Sequence, residues 1–220
     1  MPNYGDPAYW DQRYRDQQGK TFDWLEDFDA LKPYIQGLSL SADAKVIVLG
    51  CGNAEFSEDL YDDPDLGIKE IVNIDISPVV IEQMNARNEE KQRAGMIFEL
   101  GDVMSMKYPD NSFDLAVDKS TIDALLCGEN SFLNVAKMTR EVQRVLKPGG
   151  VYMVISYGTP DTRLEHFTRA HLDFEVDHFK VEDTSDSEST HYVYLCTKGV
   201  NSEATIENWL EVEAQLREES

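Results

Sequence analysis

Val46-Ile47-Val48-Leu49 is an unbroken aliphatic run that stops at Gly50-Cys51-Gly52-Asn53. A strand that is apolar at every position has no face to turn to water, so it belongs inside a sheet covered on both sides. That requirement points to a layered α/β architecture, and the chain beyond it keeps the same alternation. A helix is expected over about 54–61. Ile71-Val72-Asn73-Ile74 then ends in Asp75, and Ser77-Pro78 suits the N-cap and first turn of a helix running toward Asn88. Residues 96–100 read as a third strand closing in Gly101-Asp102, and 113–117, after the turn residues Pro109-Asp110-Asn111-Ser112, as a fourth. Leu133, Ala136, Val142, Val145 and Leu146 fall at broadly helical spacing, and Lys147-Pro148-Gly149-Gly150 reads as the stop of that helix. A fifth strand follows over 151–156.

The last third changes character. Residues 174–176 and 192–195 read as two strands joined by an acidic, serine-rich loop over 182–190 and by no helix, which predicts an antiparallel edge on a mostly parallel sheet. A terminal helix over 204–218 is expected to pack Ile206, Trp209, Leu210 and Leu216 on the body. The acidic loop is expected to be a solvated segment, with docking of a basic substrate as its functional alternative.

Charge narrows the possible partners. The 220 residues hold 42 acidic and 20 basic side chains, a formal net charge of −22. Such a surface repels nucleic acid and anionic membranes and favours basic partners. No apolar run approaches the ~18 residues of a membrane span, and residues 1–16 carry no apolar leader, so a cytoplasmic location is expected. Cys51, Cys127 and Cys196 lie far apart, and His166, His171, His178 and His191 match no ligand spacing. Neither a disulfide framework nor a metal site is expected.

The chemistry concentrates at two strand ends. A strand closing in Gly-x-Gly lets a ligand approach the backbone, and a carboxylate at the next strand tip, Asp75, can accept both hydroxyls of a ribose. In a doubly wound sheet both positions open on one crevice. A dinucleotide site would carry a third glycine, but Glu55 and Phe56 follow Asn53, and there is no Gly-Lys-Ser/Thr phosphate loop. An acidic crevice without a phosphate cradle suits a nucleoside bearing a positive centre, and S-adenosylmethionine is such a molecule.

In the order of Leu49-Gly50-Cys51-Gly52, Asp75, Gly101-Asp102 and Leu146-Lys147-Pro148-Gly149-Gly150, the chain resembles the class I S-adenosylmethionine-dependent methyltransferases. Tyr9-Trp10-Asp11-Gln12-Arg13-Tyr14, Phe22-Asp23-Trp24 and the stretch from Asp118-Lys119-Ser120-Thr121 to Leu126 are similar to the group containing lysine methyltransferases of translation elongation factor one alpha. The resemblance implies one Rossmann-like domain with a seven-stranded, mostly parallel sheet: an N-terminal helical lid over 1–44, a core over 45–200 and a C-terminal helix over 201–220. It further implies that Gly50 and Gly52 approach the amino-acid part of S-adenosylmethionine, Asp75 takes the ribose, and Ile76 packs on the adenine. Asp102 and Val103 would hold the ring edge, Trp10, Tyr14 and Trp24 would cover the methionine end, and Lys119 would line the same pocket. Asp118 and Asp123 are the candidate catalytic carboxylates for orienting an incoming amine. The implied acceptor is a protein lysine; the net charge favours one in a basic surface, and a monomer is expected. A small-molecule methyltransferase and a noncatalytic S-adenosylmethionine-binding module are the alternatives.

Overall fold

The computed structural model describes residues 2–17, 20–181, 190–200 and 203–218. Strands β1 (Lys45–Leu49), β2 (Glu70–Asp75), β3 (Met96–Leu100), β4 (Phe113–Lys119), β5 (Leu146–Ser156), β6 (Phe174–Lys180) and β7 (Tyr192–Lys198) form one sheet in the order β3-β2-β1-β4-β5-β7-β6. Helices are α1 (Pro7–Gln17), α2 (Phe28–Gly37), α3 (Phe56–Asp62), α4 (Pro78–Lys91), α5 (Thr121–Leu126), α6 (Ser131–Val145), α7 (Pro160–Phe167) and α8 (Glu203–Glu218).

The apolar run of β1 is central and its side chains alternate between faces. Val46 and Val48 join Leu31 and Ile35 of α2, Phe56 and Leu60 of α3, and Val80 and Met84 of α4. Ile47 and Leu49 meet Ile122 of α5, Val135, Met138 and Val142 of α6, and Phe167 of α7 on the other face. Paired cores on both faces explain why residues 46–49 of this strand hold no polar side chain.

β1 to β5 pair in parallel, whereas β7 runs antiparallel to both β5 and β6. The antiparallel strand therefore lies one place inside the edge. β6 takes the outer position, and the chain returns through the gap between β5 and β6. Pairing begins at β1, moves out to β3 and resumes on the other side at β4, so a crevice opens beyond the C-terminal ends of β1 and β4.

Several local expectations change. Lys147-Pro148-Gly149-Gly150 is not a turn before the fifth strand but an irregularity within β5: Phe113 pairs with Leu146 and Leu115 with Val151, and the extra residues bulge at Gly149, whose φ is +78°. Ser77 holds the N-cap position of α4 without a side-chain cap, because its hydroxyl donates to Asp11 of α1. α2 packs on the sheet, with Leu31 and Ile35 fully buried. In α8, Trp209 and Leu216 pack with Val212 on Leu133 and Ala136 of α6, while Leu210 is 73% exposed and leaves the stripe. The acidic loop over 182–189 and the Ile206 side chain lie outside the described residues. Among the described residues no helix is long and apolar enough to cross a membrane.

Candidate functional site

At the tip of β1 the backbone is left-handed at Gly50 (φ +58°) and Gly52 (φ +55°), a conformation L side chains resist. The close approach at these glycines involves the protein itself. A Cβ on Gly50 would run into the Thr121 hydroxyl, which donates to the Leu49 carbonyl at 2.8 Å, and one on Gly52 would lie 3.0 Å from the Tyr14 hydroxyl. The Gly52 N–H donates to Asp75 Oδ2 (3.0 Å) and the Ser77 N–H to Oδ1 (2.9 Å). Asp75 is buried, and burial pushes its carboxyl up to about 6 against those backbone donors. Each oxygen keeps acceptor capacity for a further donor.

These residues border a cavity of about 400 Å³. Trp10, Tyr14, Trp24, Gly50, Gly52, Asp75, Ile76, Asp102, Val103, Lys119 and Asp123 all line it, as do Tyr4, Arg13, Phe22, Thr121 and Tyr157. The segment from Tyr4 to Trp24 closes it as an aromatic cluster. Trp10 stacks on Tyr14 with ring centres 6.0 Å apart, its indole N–H donates to the Tyr4 carbonyl (2.8 Å), and the Arg13 guanidinium lies 4.9 Å from the Phe22 ring centre and 5.0 Å from that of Trp24. Burial and the neighbouring Asp75 hold the Tyr14 phenol well above its ordinary range. Cys51 is buried and its thiol is likewise pushed up, the state of a small core filler.

Lys119, at the end of β4, joins this cover to the sheet. Its ammonium pairs with Asp23, donates to the Glu26 carbonyl (2.9 Å) and faces the Phe56 ring. Burial draws it down to about 7. Asp23 is the counter-charge that works the other way.

The two candidate catalytic carboxylates part company. Asp118 does not border the cavity: it is fully buried and accepts from the Thr121 N–H (2.7 Å), the Ile122 N–H and the Tyr152 hydroxyl (2.8 Å). It caps α5 and ties it to β5, and burial raises its carboxyl to about 7. The side-chain alternation of β4 turned it inward, which its place near the strand tip did not disclose. Asp123 does border the cavity, but both oxygens are engaged, Oδ1 by Arg163 (2.7 Å) and the Ser156 hydroxyl (2.6 Å), Oδ2 by the Ser120 hydroxyl and the Tyr157 N–H (both 3.2 Å). Tyr157 was not among the sequence candidates. Its only sequence signal is its place just past the end of β5, and its phenol is raised by burial and by nearby Asp123 and Tyr4.

A family profile described as a methyltransferase domain matches residues 40–212. The chain belongs to the methyltransferase-domain family. It is 42% identical over 159 residues to the eEF1A lysine and N-terminal methyltransferase of Bos taurus, an alignment covering 70% of this chain and 22% of that protein. To EEF1A lysine methyltransferase 4 of Mus musculus it is 30% identical over 206 residues, covering 89% of this chain and 76% of the relative. The chain thus spans about a fifth of the first relative and three quarters of the second. Solved structures share the fold: a SAM-dependent methyltransferase of Methanosarcina mazei (TM-score 0.61, 17% identity, 82% of this chain and 100% of that one) and the cyclase SpnF (TM-score 0.62, 19% identity, 80% and 85%). A methyltransferase and a cyclase on one scaffold show why the reaction must be argued from the site.

Family membership implies S-adenosylmethionine as the cofactor, and the residues present fit it. The buried Asp75 carboxylate keeps free acceptor positions at the strand tip. Among the described residues, the charged side chains of the lining are Asp23, Asp75, Asp102 and Asp123 against Arg13 and Lys119. Lys119 is already paired with Asp23, and the rings of Trp10, Tyr14 and Trp24 stand beside the glycine turn. That is a setting for a cationic nucleoside and a poor one for a phosphate.

Proposed function

We propose that this chain is a protein-lysine methyltransferase that uses S-adenosylmethionine and takes a lysine of translation elongation factor one alpha as its acceptor. Two relatives aligned over most of this chain carry that activity in their names, and the observation that carries the reading here is the pairing of the Gly50–Gly52 turn with buried Asp75 under an aromatic cover. In this reading Asp75 holds the ribose, Ile76, Asp102 and Val103 hold the adenine, and Trp10, Tyr14 and Trp24 cover the methionine end. When bound, the cofactor would supply an electrophilic methyl on a cationic sulfur; a neutral amine takes that methyl as the carbon–sulfur bond breaks, leaving a neutral thioether, and the new ammonium gives up one proton.

The chain's own groups align and desolvate. A lysine has a reference pKa of about 10.4, and partial desolvation against an aromatic wall beside a cation lowers it. No strong base is needed, in keeping with an Asp118 that caps a helix and an Asp123 already balanced by Arg163. The net charge of −22 favours a basic protein surface over nucleic acid, and a monomer in the cytoplasm is the state in which we expect it to act.

One observation favours a second reading, a small-molecule acceptor: the cavity is roofed by rings rather than left as an acidic groove. Against it, Phe22, Ile76 and Tyr157 of the lining are 41%, 40% and 47% exposed, so the cavity reaches solvent. Transfer of tritiated methyl in a cell extract, followed by mass spectrometry, separates the two. Label on a lysine of the elongation factor is the expected result, and label confined to small molecules overturns the protein-lysine reading. Absence of S-adenosylmethionine binding at near-millimolar concentration by calorimetry overturns the enzyme reading altogether.

A further inference from the structure

The cavity lining has two parts. Gly50, Gly52, Asp75, Ile76, Asp102 and Val103 stand at the tips of β1, β2 and β3, where the cofactor is proposed. On the side of β4 and β5 the same cavity continues between Tyr4, Asp123, Cys127 and Tyr157, which that cofactor assignment leaves unused. We propose that Tyr157 is the acceptor-binding wall of the site, its ring receiving the methylene stem of the target lysine and aiming the amine at the cofactor cradle. This rests on the protein-lysine reading above.

Three observations carry the assignment. First, Tyr157 is 47% exposed yet has a backbone fixed on both sides. Its own N–H donates to Asp123 and the preceding Ser156 hydroxyl to the same carboxylate. That hydroxyl also accepts from the Gly158 N–H (3.0 Å) and Arg163 Nε (2.9 Å), and the Gly158 carbonyl accepts from the Tyr194 hydroxyl (2.6 Å). An exposed aromatic on a rigid mount is the arrangement of a binding residue, since a ring left to solvent gains nothing from such anchoring.

Second, the ring is braced. It meets His191 edge to face at 4.8 Å, and His191 Nδ1 lies 2.6 Å from Glu26, whose carbonyl accepts from Lys119. The contacts that seat the aromatic cover thus also set the wall. Third, among the described residues the carboxylate beside the ring already has its counter-charge. Arg163 pairs with Asp123 at 2.7 Å, so an arriving lysine finds ring surface for its stem beside a balanced carboxylate.

The test uses the full chain, purified elongation factor one alpha as acceptor and calorimetry for S-adenosylmethionine. Tyr157→Ala is expected to raise the KM for the protein acceptor by about tenfold or more, while the Kd for S-adenosylmethionine stays within about twofold. Tyr157→Phe, which keeps the ring, is expected within about threefold of wild type in both. Tyr157→Glu places a carboxylate on the wall and is expected to move the midpoint of the pH–rate profile up by about one unit, a change that a merely structural role would not produce. An unchanged KM in Tyr157→Ala with an active wild type overturns the assignment of Tyr157 alone, as does a parallel loss of cofactor affinity, which would put the ring on the cofactor side. A wild-type chain that binds S-adenosylmethionine but methylates no protein lysine overturns the underlying reading and the assignment with it.

Discussion

Asp75 meets two opposing demands: burial favours its neutral form, while the Gly52 and Ser77 N–H groups favour the anion. Hydroxyl donors from a bound ribose would add to the second side. With the carboxyl near 6 in the free protein, binding below that pH must expel a proton, so S-adenosylmethionine affinity is expected to fall by up to about tenfold per unit as pH drops below about 6. Calorimetry across pH 5 to 8 measures it. Asp75→Asn should flatten the dependence and weaken binding by about 1.5–3 kcal/mol. An affinity that stays constant to pH 5 in wild type would remove Asp75 from the site. Asp118 gives a prediction on stability. Its carboxyl is raised from 3.8 to about 7, so between those values the folded chain keeps a proton that the unfolded chain has released. The stability from this group is fully present below about pH 4 and is lost as pH rises to 7, by at most about 1.4 kcal/mol per unit. Urea unfolding of wild type and Asp118→Asn at pH 5, 6, 7 and 8 should show the difference moving against wild type up to 7 and levelling beyond. Buried His166 and His171, held near 4, are common to both chains and cancel. A pH-independent difference contradicts the buried, protonated state.

The element most exposed to test is the cover formed by α1 and the segment to Trp24. It is held by Lys119 on Asp23, by Asn53 Nδ2 donating to Gln17 (3.0 Å) and to the Lys20 carbonyl (2.7 Å), and by Gln83 donating to the Tyr14 carbonyl (3.2 Å). Asp23→Ala leaves the buried Lys119 ammonium without its counter-charge, so the lysine sheds its proton and its ionic tie to the cover is lost. We expect faster tryptic cleavage at Arg13 and Arg15 and quicker cofactor release, with slowing of both when S-adenosylmethionine is saturating. Equal digestion rates for wild type and variant would show that the pair does not secure the cover. The strands were readable because runs such as 46–49 are apolar throughout, and only a doubly covered strand needs that. α5, α7 and α2 were not readable. The first two are 6 and 8 residues long, too short for a repeat to register, and α2 carries Pro33 in its interior. The helix stop after α6 was legible as a stop, but pairing with β4 drew the Pro-Gly-Gly segment into β5.

Across the molecule the −22 charge acts at long range. If the acceptor is a basic protein, kcat/KM should fall by about tenfold between 50 and 300 mM salt as screening shortens the field, while the Kd for S-adenosylmethionine barely moves. A salt-independent kcat/KM would point to a neutral or small acceptor. The glycine turn at 50–52, the acid at 75, the layered α/β class and the acidic surface were all determined by the sequence alone. Each depends on local chemistry: what a backbone at φ > 0 tolerates, what a fully apolar strand requires, and how charges sum. The tertiary structure decided that β7 slips between β5 and β6, that Asp118 faces inward while Asp123 faces the cavity, and that Tyr157 stands at its wall. These turn on which strand pairs with which and which side of a strand meets a helix. Those relations join residues tens of positions apart, such as Asp123 with Arg163 and Glu26 with His191, and no local pattern in the chain encodes them.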